Sequence, residues 1–294
     1  MIRTLALTVA VFILGLPALW AADGTILLTE DVQLRVADAF MQEKEYYRAI
    51  TEYKRFLILF PDSTRSDYAL LQAGIAYFLG GDNDGAIKNF SALRDKYPQS
   101  THVADASFFE GLCYWKKKEH AKAGNLFLAL VDVYPDSSYA PRALAGAALI
   151  ELDGDNPAAA LALLHRFIET YPDHPKTGSV REAMSMLEGY ADLPQKSEVL
   201  AGIMSALLPG AGYAYAGDYG TAVMSLLVNG AFIAGTWTAF AQELYAVGAL
   251  AGGVGVPFYI GNIYGSALAV KKWNQAVKRE ARERVYATLD FVFE

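Results

Sequence analysis

The sequence of 294 residues has one cysteine and four histidines. The single cysteine, Cys113, excludes an intramolecular disulfide and a cysteine-based zinc site. It lies in an aromatic stretch (FFEGLCYW), which predicts a buried packing role. The histidines lack the HExxH and HxxxH spacings of metal-binding pairs, so we expect no metal site. They are His102, His120, His165 and His174.

The sequence also lacks the motifs of common enzyme classes. No GxSxG, Walker or dinucleotide-binding glycine pattern stands in a suitable strand–helix setting. Carboxylates that are close in sequence, such as Asp153 and Asp155, are better explained as turn residues. We therefore predict no catalytic and no cofactor-binding residues.

Charge is scarce in one long region. Between Val199 and Val270 only Asp218 and Glu243 are charged. By contrast, residues 22–198 contain 26 acidic and 18 basic residues, a net charge of −8. An acidic surface argues against nucleic acid as a partner. The contrast predicts a soluble part followed by a membrane part.

The N-terminus has the layout of an export signal. Arg3 precedes an apolar run of about 16 residues, which ends at the small residues Ala21 and Ala22. We predict a signal peptide over residues 1–22, with an uncleaved membrane anchor as the alternative. Either way, the residues that follow should be exported across the inner membrane. No cysteine stands at the cleavage site, which argues against a bacterial-type lipid anchor there.

Four prolines recur every 37 residues, and an aromatic residue precedes each of them. They are Pro61, Pro98, Pro135 and Pro172. Twelve residues before each proline stands an alanine: Ala49, Ala86, Ala123 and Ala160. Large apolar residues stand eight and five positions before each proline, and these offsets place them on the alanine's helix face. A tiny residue 24 positions before each proline suits two closely crossing helices: Ala37, Gly74, Gly111 and Ala148.

Each copy therefore predicts a helix, a polar turn, a second helix and a proline stop. Polar pairs such as Asp62-Ser63 follow the prolines, and their side chains are expected to cap the next helix. In the fourth copy Glu151 replaces the aromatic residue that the other copies have at this position. Residues 177–190 predict a capping helix, since the end of a repeat array must face water.

This pattern resembles the tetratricopeptide repeat. The resemblance implies an all-α solenoid of helix pairs over residues 28–192. Its concave face, lined by the first helices, would bind a protein or peptide. Aromatic residues such as Tyr68, Phe108 and Tyr139 could line that face, although core packing is their commoner role. The 37-residue length is similar to repeats of bacterial envelope proteins, such as the outer-membrane assembly lipoprotein of the barrel-assembly machine and the periplasmic coordinator of the Tol system.

Residues 198–270 predict a membrane module. Residues 221–241 and residues 244–270 contain no charged residue, and each stretch is long enough to span a bilayer. Together they predict a transmembrane hairpin. Glycines spaced by four let helices approach closely, including those of a second copy in a homo-oligomer: Gly248, Gly252, Gly261 and Gly265. Asn229 and Asn262 are expected to bond to each other across the spans; a transport site is the alternative.

A proline–glycine break precedes these spans. The stretch LPGAGYAYAGDYG resembles the PG-x-G-x-x-Y-x-G signature of small two-helix bacterial membrane modules. The matching residues are Pro209, Gly210, Gly212, Tyr215 and Gly217. The resemblance implies a membrane module of poorly defined function. No lysine, serine or threonine follows at Walker spacing to support phosphate binding.

Residues 271–294 predict a basic juxtamembrane helix and a tail. Six basic and two acidic residues over 271–284 would place this helix in the cytoplasm by the positive-inside rule. Exported repeats followed by two spans would instead return it to the periplasm, whereas three crossings would satisfy the rule. Two spans with the Pro-Gly segment at the interface are slightly favoured. The final residues alternate like a strand, with a frayed tail as the alternative.

These features favour a non-enzymatic scaffold, exported into the bacterial cell envelope and held by its own membrane hairpin. Its repeats would be periplasmic and would bind a protein partner during assembly, secretion or cell-wall work; which membrane holds it stays open. Contact with membrane lipid follows from the spans. An accessory subunit of an envelope transport or channel complex is the alternative. A membrane enzyme would need a polar cluster in the spans, where only Asn229, Glu243 and Asn262 occur.

Overall fold

The computed structural model describes residues 28–293. The signal peptide predicted over residues 1–22 lies outside this range. The chain divides into two compact units, with the division between His102 and Val103. The second unit thus combines the last two repeats with the predicted membrane module. None of the residues from 28 to 293 forms a β-strand, so the described chain is all-α.

The first unit consists of two helix pairs. Their helices are α1 Glu30–Gln42, α2 Tyr46–Leu59, α3 Ser66–Leu79 and α4 Asn83–Lys96. The second unit continues with two further pairs and a helix packed on the last of them: α5 Val103–Lys116, α6 His120–Val133, α7 Ala140–Asp153, α8 Pro157–Thr170 and α9 Thr177–Glu188. Its remaining helices are α10 Glu198–Leu207, α11 Ala211–Ala216, α12 Tyr219–Ala241 and α13 Tyr245–Thr288. A short 3₁₀ helix, Asp290–Val292, follows α13.

Small residues set the distance between the two helices of a pair. All four alanines twelve positions before the prolines are fully buried. A Cβ atom on Gly74 would collide with the Phe90 ring, and one on Gly111 would collide with the Phe127 ring. Because these rings pack directly on the glycine backbones, a side chain at either position would push the helices apart.

The turn within each pair repeats one backbone feature. The chain adopts a left-handed conformation at Lys44, Gly81, Lys118 and Asp155, which are 37 residues apart, with φ between 58° and 85°. Only one of the four is glycine, the residue that adopts this conformation without steric cost. The second helices end one residue before the aromatic residue that precedes each proline. Proline disfavours helical backbone at the residue before it, which explains this stop.

The serines after the prolines act differently from the predicted helix caps. Ser63 Oγ accepts a hydrogen bond from Arg65 N, which lies before α3 begins, and donates to Glu30 of the preceding pair (2.7 Å). Ser100 likewise accepts from His102 N and donates to Asp67 (2.6 Å). The residue before α3, Arg65, makes no side-chain cap bond. The prediction that these side chains cap the next helix is wrong, because the hydroxyls join successive pairs instead.

Two helices of the second unit are long and apolar enough to cross a membrane: α12, with 23 residues, and α13, with 44. Their apolar side chains point outward, with Leu227 61% and Leu250 71% exposed. At 1.5 Å per residue α13 is about 66 Å long, roughly twice the thickness of a bilayer's hydrocarbon core. The basic segment 271–288 is therefore the continuation of the second apolar helix and not a separate element.

Candidate binding surfaces of the repeats

The first unit has a polar cluster centred on Asp38 of α1. Its carboxylate accepts hydrogen bonds from the hydroxyls of Tyr53 on α2 and Tyr68 on α3 (3.0 Å for Tyr68). Burial, followed by these bonds to Asp38, raises the pKa of Tyr53, and burial raises the pKa of Tyr68 to about 12. Both phenols therefore stay protonated at neutral pH and act as donors. The cluster joins three helices through one acceptor.

A cavity of about 540 Å³ lies beside this cluster, lined by α1, α3 and the residue before α3. Its charged lining residues are Asp31, Arg35, Asp38 and Arg65. The Arg65 guanidinium donates to Asp31 and Glu30, and these bonds raise the pKa of Arg65. The surface thus presents both signs of charge and a half-buried tyrosine, Tyr68. Such a surface suits a polar protein segment better than an apolar one.

In the second unit, the chain's own C-terminus lies against the repeats. Val285, Leu289, Phe291 and Val292 are at most 3% exposed. We call residues 285–293 the docked segment. Arg142 of α7 donates through Nη2 to the carbonyl oxygen of Val292 (3.1 Å). A Cβ on Gly146, one turn further along α7, would come within 3.3 Å of the Val292 side chain. The prediction of a strand or a frayed tail is wrong, because this tail is helical and buried.

Aromatic rings surround the docked segment. Phe291 packs near Phe167 and His174, with ring centroids 6.2 and 6.1 Å away. Phe293 packs against Trp115 of α5 at 5.1 Å. Burial, followed by the neighbouring Lys176, lowers the pKa of His174 below its usual range. The segment therefore sits on an aromatic surface that is bordered by two cations, Arg142 and Lys176.

Polar contacts hold the last turns of α13 to the repeats. Lys278 Nζ donates to Asp155 (2.6 Å), and the Tyr286 hydroxyl donates to Asp153 (2.7 Å). The bond from Lys278 lowers the pKa of the Asp155 carboxyl. Asp155 lies in the turn between α7 and α8, as the turn interpretation expects, whereas Asp153 is the last residue of α7. Both also accept hydrogen bonds from α13.

The three aromatic residues considered for the groove have different positions. Phe108 is fully buried and belongs to the core. Tyr139 is half-buried and stacks on Phe108 at a centroid distance of 4.8 Å, with the Arg142 guanidinium over both rings. Tyr68 lines the cavity of the first unit. Cys113 is buried with its thiol outside any disulfide.

The Pro-Gly signature builds a compact turn between α10 and α11. Gly210 has φ 89°, and a Cβ there would collide with the carbonyl oxygen of Ala222. Gly212 packs against Ala201 in the same way, and its N–H donates to Ser205 Oγ (3.0 Å). Pro209 is buried, and Gly217 ends α11 with φ 94°.

The tyrosine of the signature contacts the entry to the module. The Tyr215 hydroxyl accepts a hydrogen bond from Ser197 N, just before α10 (3.2 Å). Thus Tyr215 and the glycines lie together at one packed turn. The signature therefore has a structural position here.

The two asparagines of the spans are connected indirectly. Asn229 Nδ2 donates to the carbonyl oxygen and the hydroxyl of Ser225, whose hydroxyl donates to Asn262 Oδ1 (2.6 Å). Asn262 also accepts from Gly210 N and donates to the carbonyl oxygen of Ser205. The expected direct bond between Asn229 and Asn262 is wrong, because Ser225 lies between them.

Most of the four spaced glycines pack against other residues of the same chain. Cβ atoms on Gly248, Gly252 and Gly265 would meet Phe240, Thr236 and Tyr213 of the same chain. A Cβ on Gly261 would have no atom within 4 Å. Close packing within one chain thus accounts for three of the four.

The comparisons with known proteins concern the repeats. A family model described as "Tetratricopeptide repeat" matches residues 31–63, 68–100 and 143–174. The chain contains tetratricopeptide repeats. The matches fall on the first, second and fourth helix pairs, so the copy with Glu151 is among them. The predicted all-α helix-pair solenoid followed by two apolar helices is confirmed.

Three of the solved structures that are similar to this chain have low sequence identity to it. The apo form of RapI is 13% identical with a TM-score of 0.49, covering 84% of this chain and 64% of RapI. A tetratricopeptide repeat protein from Parabacteroides merdae is 13% identical with a TM-score of 0.45, covering 81% and 98%. PilF of Pseudomonas aeruginosa is 12% identical with a TM-score of 0.43, covering 84% and 97%. The comparison with curated proteins finds no match.

Sequence reasoning missed the two most informative surfaces. Asp38 belongs to no known motif. However, the later copies have apolar residues at the equivalent position (Ile75, Leu112 and Leu149), and this departure from the repeat pattern was a usable signal. The docked segment had a weaker signal, its apolar residues Leu289, Phe291 and Val292 after a charged helix. Nothing local in the sequence links it to α7.

Proposed function

We propose that this protein is a non-enzymatic scaffold of the bacterial cell envelope, anchored in a membrane by α12 and α13. Its tetratricopeptide repeats would bind a protein partner. The observation that carries the proposal is the docked segment. It makes α13 and the third and fourth helix pairs parts of one packed body in the second unit, which supports a repeat array that is held by its own membrane anchor.

The exposure of α12 and α13 supports the membrane anchor. A long apolar helix in a soluble protein is buried, whereas here Leu227, Trp237 and Leu250 are each more than 60% exposed. Exposed apolar surface of this extent has a high free energy in water and a low one in hydrocarbon. Glu243 is the only ionisable residue in the connection between α12 and α13. It is exposed at the tip of the hairpin.

The contacts at the other end of the hairpin favour two crossings. Asn274 of α13 exchanges two hydrogen bonds with the backbone of Lys196, just before α10 (both 2.9 Å). Lys278 reaches Asp155 of the repeats. These contacts support a topology in which the entry to the module and the basic end of α13 share one side of the membrane with the repeats of the second unit. With the predicted export signal, that side would be the periplasm, which requires this packing to outweigh the positive-inside rule.

Labelling of introduced cysteines in intact cells tests this topology. In a Cys113→Ala background, which removes the buried native thiol, Glu283→Cys on α13 and Lys122→Cys on α6 should react alike with a membrane-impermeant maleimide. Gln242→Cys, at the opposite tip of the hairpin, should react only after the membrane is permeabilised. Labelling of Glu283→Cys and Lys122→Cys on opposite sides would contradict the two-span anchor.

Photo-crosslinking from the full-length chain tests partner binding. A photoreactive residue at Arg35, in the polar cavity of the first unit, should give one discrete crosslinked protein in cells. The matched control is Arg55, whose side chain is half exposed on α2, away from the cavity lining. Removing two charged cavity residues together, Asp31→Ala with Arg65→Ala, should abolish the Arg35 product. Equal products from Arg35 and Arg55, or a product that survives the double variant, would count against this surface.

A further inference from the structure

A cavity of about 580 Å³ lies in the second unit, where α13 continues beyond the apolar stretch 244–270. It is bounded by α13, by the start of α10 and by Asp155 of the repeats. Asn274 joins two of these walls, because it exchanges two hydrogen bonds with the backbone of Lys196, both 2.9 Å long. The volume is within the range of small-ligand sites in proteins.

The lining of this cavity is rich in cations. Four of its side chains are basic and two are acidic. The basic ones all come from α13 and are Lys271, Lys278, Arg279 and Arg282. Spacings of seven and eleven residues place Lys271, Lys278 and Arg282 on one face of that helix. A concave surface with an excess of positive charge attracts an anion.

The two carboxylates of the lining leave much of this charge uncompensated. Asp155 accepts a hydrogen bond from Lys278 and also lies near Arg282, so two cations share one acid. Glu198 stands in the first turn of α10, where the positive end of the helix dipole favours a carboxylate. The acids are therefore held by groups of the chain itself.

Two of the cations remain available to a ligand. Lys271 is exposed, and none of the residues from 28 to 293 forms an ion pair with it. Arg279 contacts Glu283 at 3.8 Å, and both side chains are about 70% exposed, so this pair is weak. Gln195 and Gln275 add amide N–H donors to the lining.

The position along α13 places this cavity at the level of lipid headgroups. Lys271 directly follows the apolar stretch, and Lys278 lies about 10 Å further along the helix axis at 1.5 Å per residue. The headgroup layer is about 5–8 Å thick on each side of the hydrocarbon core. Trp273, whose ring centroid lies 4.0 Å from Lys196 Nζ, is of a residue type enriched at this level. The cavity thus lies in the layer that contains the lipid phosphates.

We propose that this cavity binds the phosphate group of an anionic phospholipid, with Lys271 and Arg279 as its direct partners. A guanidinium offers paired N–H donors that match two phosphate oxygens. A zwitterionic headgroup would bring its own cation beside these side chains, so the site selects a headgroup with net negative charge. The inference rests on the proposed membrane anchor and deepens it, because an anchor alone requires only bulk lipid.

Native mass spectrometry of the full-length protein tests the proposal. Vesicle flotation first checks insertion. The protein is then extracted with detergent from vesicles of equal parts phosphatidylglycerol and phosphatidylcholine with the same acyl chains, so that only the headgroup differs. One phosphatidylglycerol per chain should be retained, in about fivefold excess over phosphatidylcholine.

Matched pairs of variants separate the cavity from the general charge of α13. Lys271→Gln should remove the preference for phosphatidylglycerol. Lys272→Gln removes the same charge at nearly the same depth but outside the lining, and should keep it. Arg279→Gln should act like Lys271→Gln, whereas Arg284→Gln, which breaks an exposed pair with Glu280, should not. All four substituted side chains are exposed, so the fold should tolerate each change.

The outcomes distinguish the lipid site from the anchor and from a site for free phosphate. Equal retention of the two lipids by protein that floats, or equal losses in Lys271→Gln and Lys272→Gln, would overturn the lipid site and leave the anchor standing. Millimolar inorganic phosphate, compared with chloride at equal ionic strength, should not displace the lipid; displacement would assign the cavity to free phosphate instead. Protein that does not float would overturn the anchor, and the lipid site with it.

Discussion

The repeats of the two units have the same buried pattern but different faces. In both, alanines and glycines at 37-residue intervals let paired helices cross closely, and the rings of Phe90 and Phe127 cover equivalent glycines. The first unit then presents a charged cavity around Asp38. The second presents aromatic rings, which the docked segment covers. The periodic residues thus determine how a pair packs, while the non-periodic residues determine what it binds.

Of the substitutions that test this difference, removing the largest buried ring of the docked segment should have the largest effect, because it weakens docking on the face of the second unit. Phe291→Ala deletes a ring that is 3% exposed and should weaken docking by about 3 kcal/mol, as for other buried phenylalanines. Hydrogen exchange of residues 285–293 should become much faster, while exchange in α1–α4 stays unchanged. Phe293→Ala should have a smaller effect, since that ring packs against Trp115 but is 53% exposed. Protection equal to that of the unmodified chain would show that the segment is held elsewhere.

A double substitution in the first unit tests why its face is polar. Asp38→Leu leaves the hydroxyl of the fully buried Tyr53 without its acceptor, and should lower the free energy of unfolding of this unit by about 1–3 kcal/mol. Adding Tyr53→Phe should restore most of the loss, because Leu112 and Phe127 already occupy the equivalent positions in the third copy. Thermal unfolding with hydrogen exchange of α1–α3 measures both. A double variant no more stable than Asp38→Leu would reject this explanation.

The contrast also marks the limit of prediction from the sequence. Helix stops at the prolines, buried alanines and glycine crossings depend on neighbours within one or two repeats, and the period reveals them. The docked segment depends on contacts such as Arg142 with Val292, which are 150 residues apart. No local pattern encodes such a pairing. The serine hydroxyls that join successive pairs were misassigned because the same residues are also good helix caps.

The Arg142 contact should contribute less than the buried rings. In Arg142→Lys the charge stays, but the planar group that lies over Phe108 and Tyr139 while donating to Val292 is lost. We expect docking to weaken by about 1 kcal/mol, seen as a modest rise in exchange at residues 289–293. Arg166→Lys is the matched control, because Arg166 forms an exposed pair with Asp132 in the same unit. Equal effects of the two variants would indicate a general charge effect instead of this contact.

The pair of Lys278 and Asp155 should give the smallest effect, and a pH-dependent one. Lys278 lowers the pKa of Asp155, so the pair stabilises docking above the ordinary aspartate pKa of about 3.9 and loses this contribution as the pH falls through the lowered value. Both side chains are partly exposed, which limits the contribution to about 0.5 kcal/mol.

Trp115 fluorescence reports this titration, since Phe293 and Tyr286 lie beside the Trp115 ring. Asp155→Asn removes the titrating group, and asparagine tolerates the left-handed backbone at this position (φ 58°). In the unmodified chain the signal should shift toward the undocked value below about pH 4, by more than in Asp155→Asn. Identical titrations of the two proteins would mean that the pair of Lys278 and Asp155 contributes nothing to docking, and that the buried rings and the remaining polar contacts hold the segment on the face of the second unit.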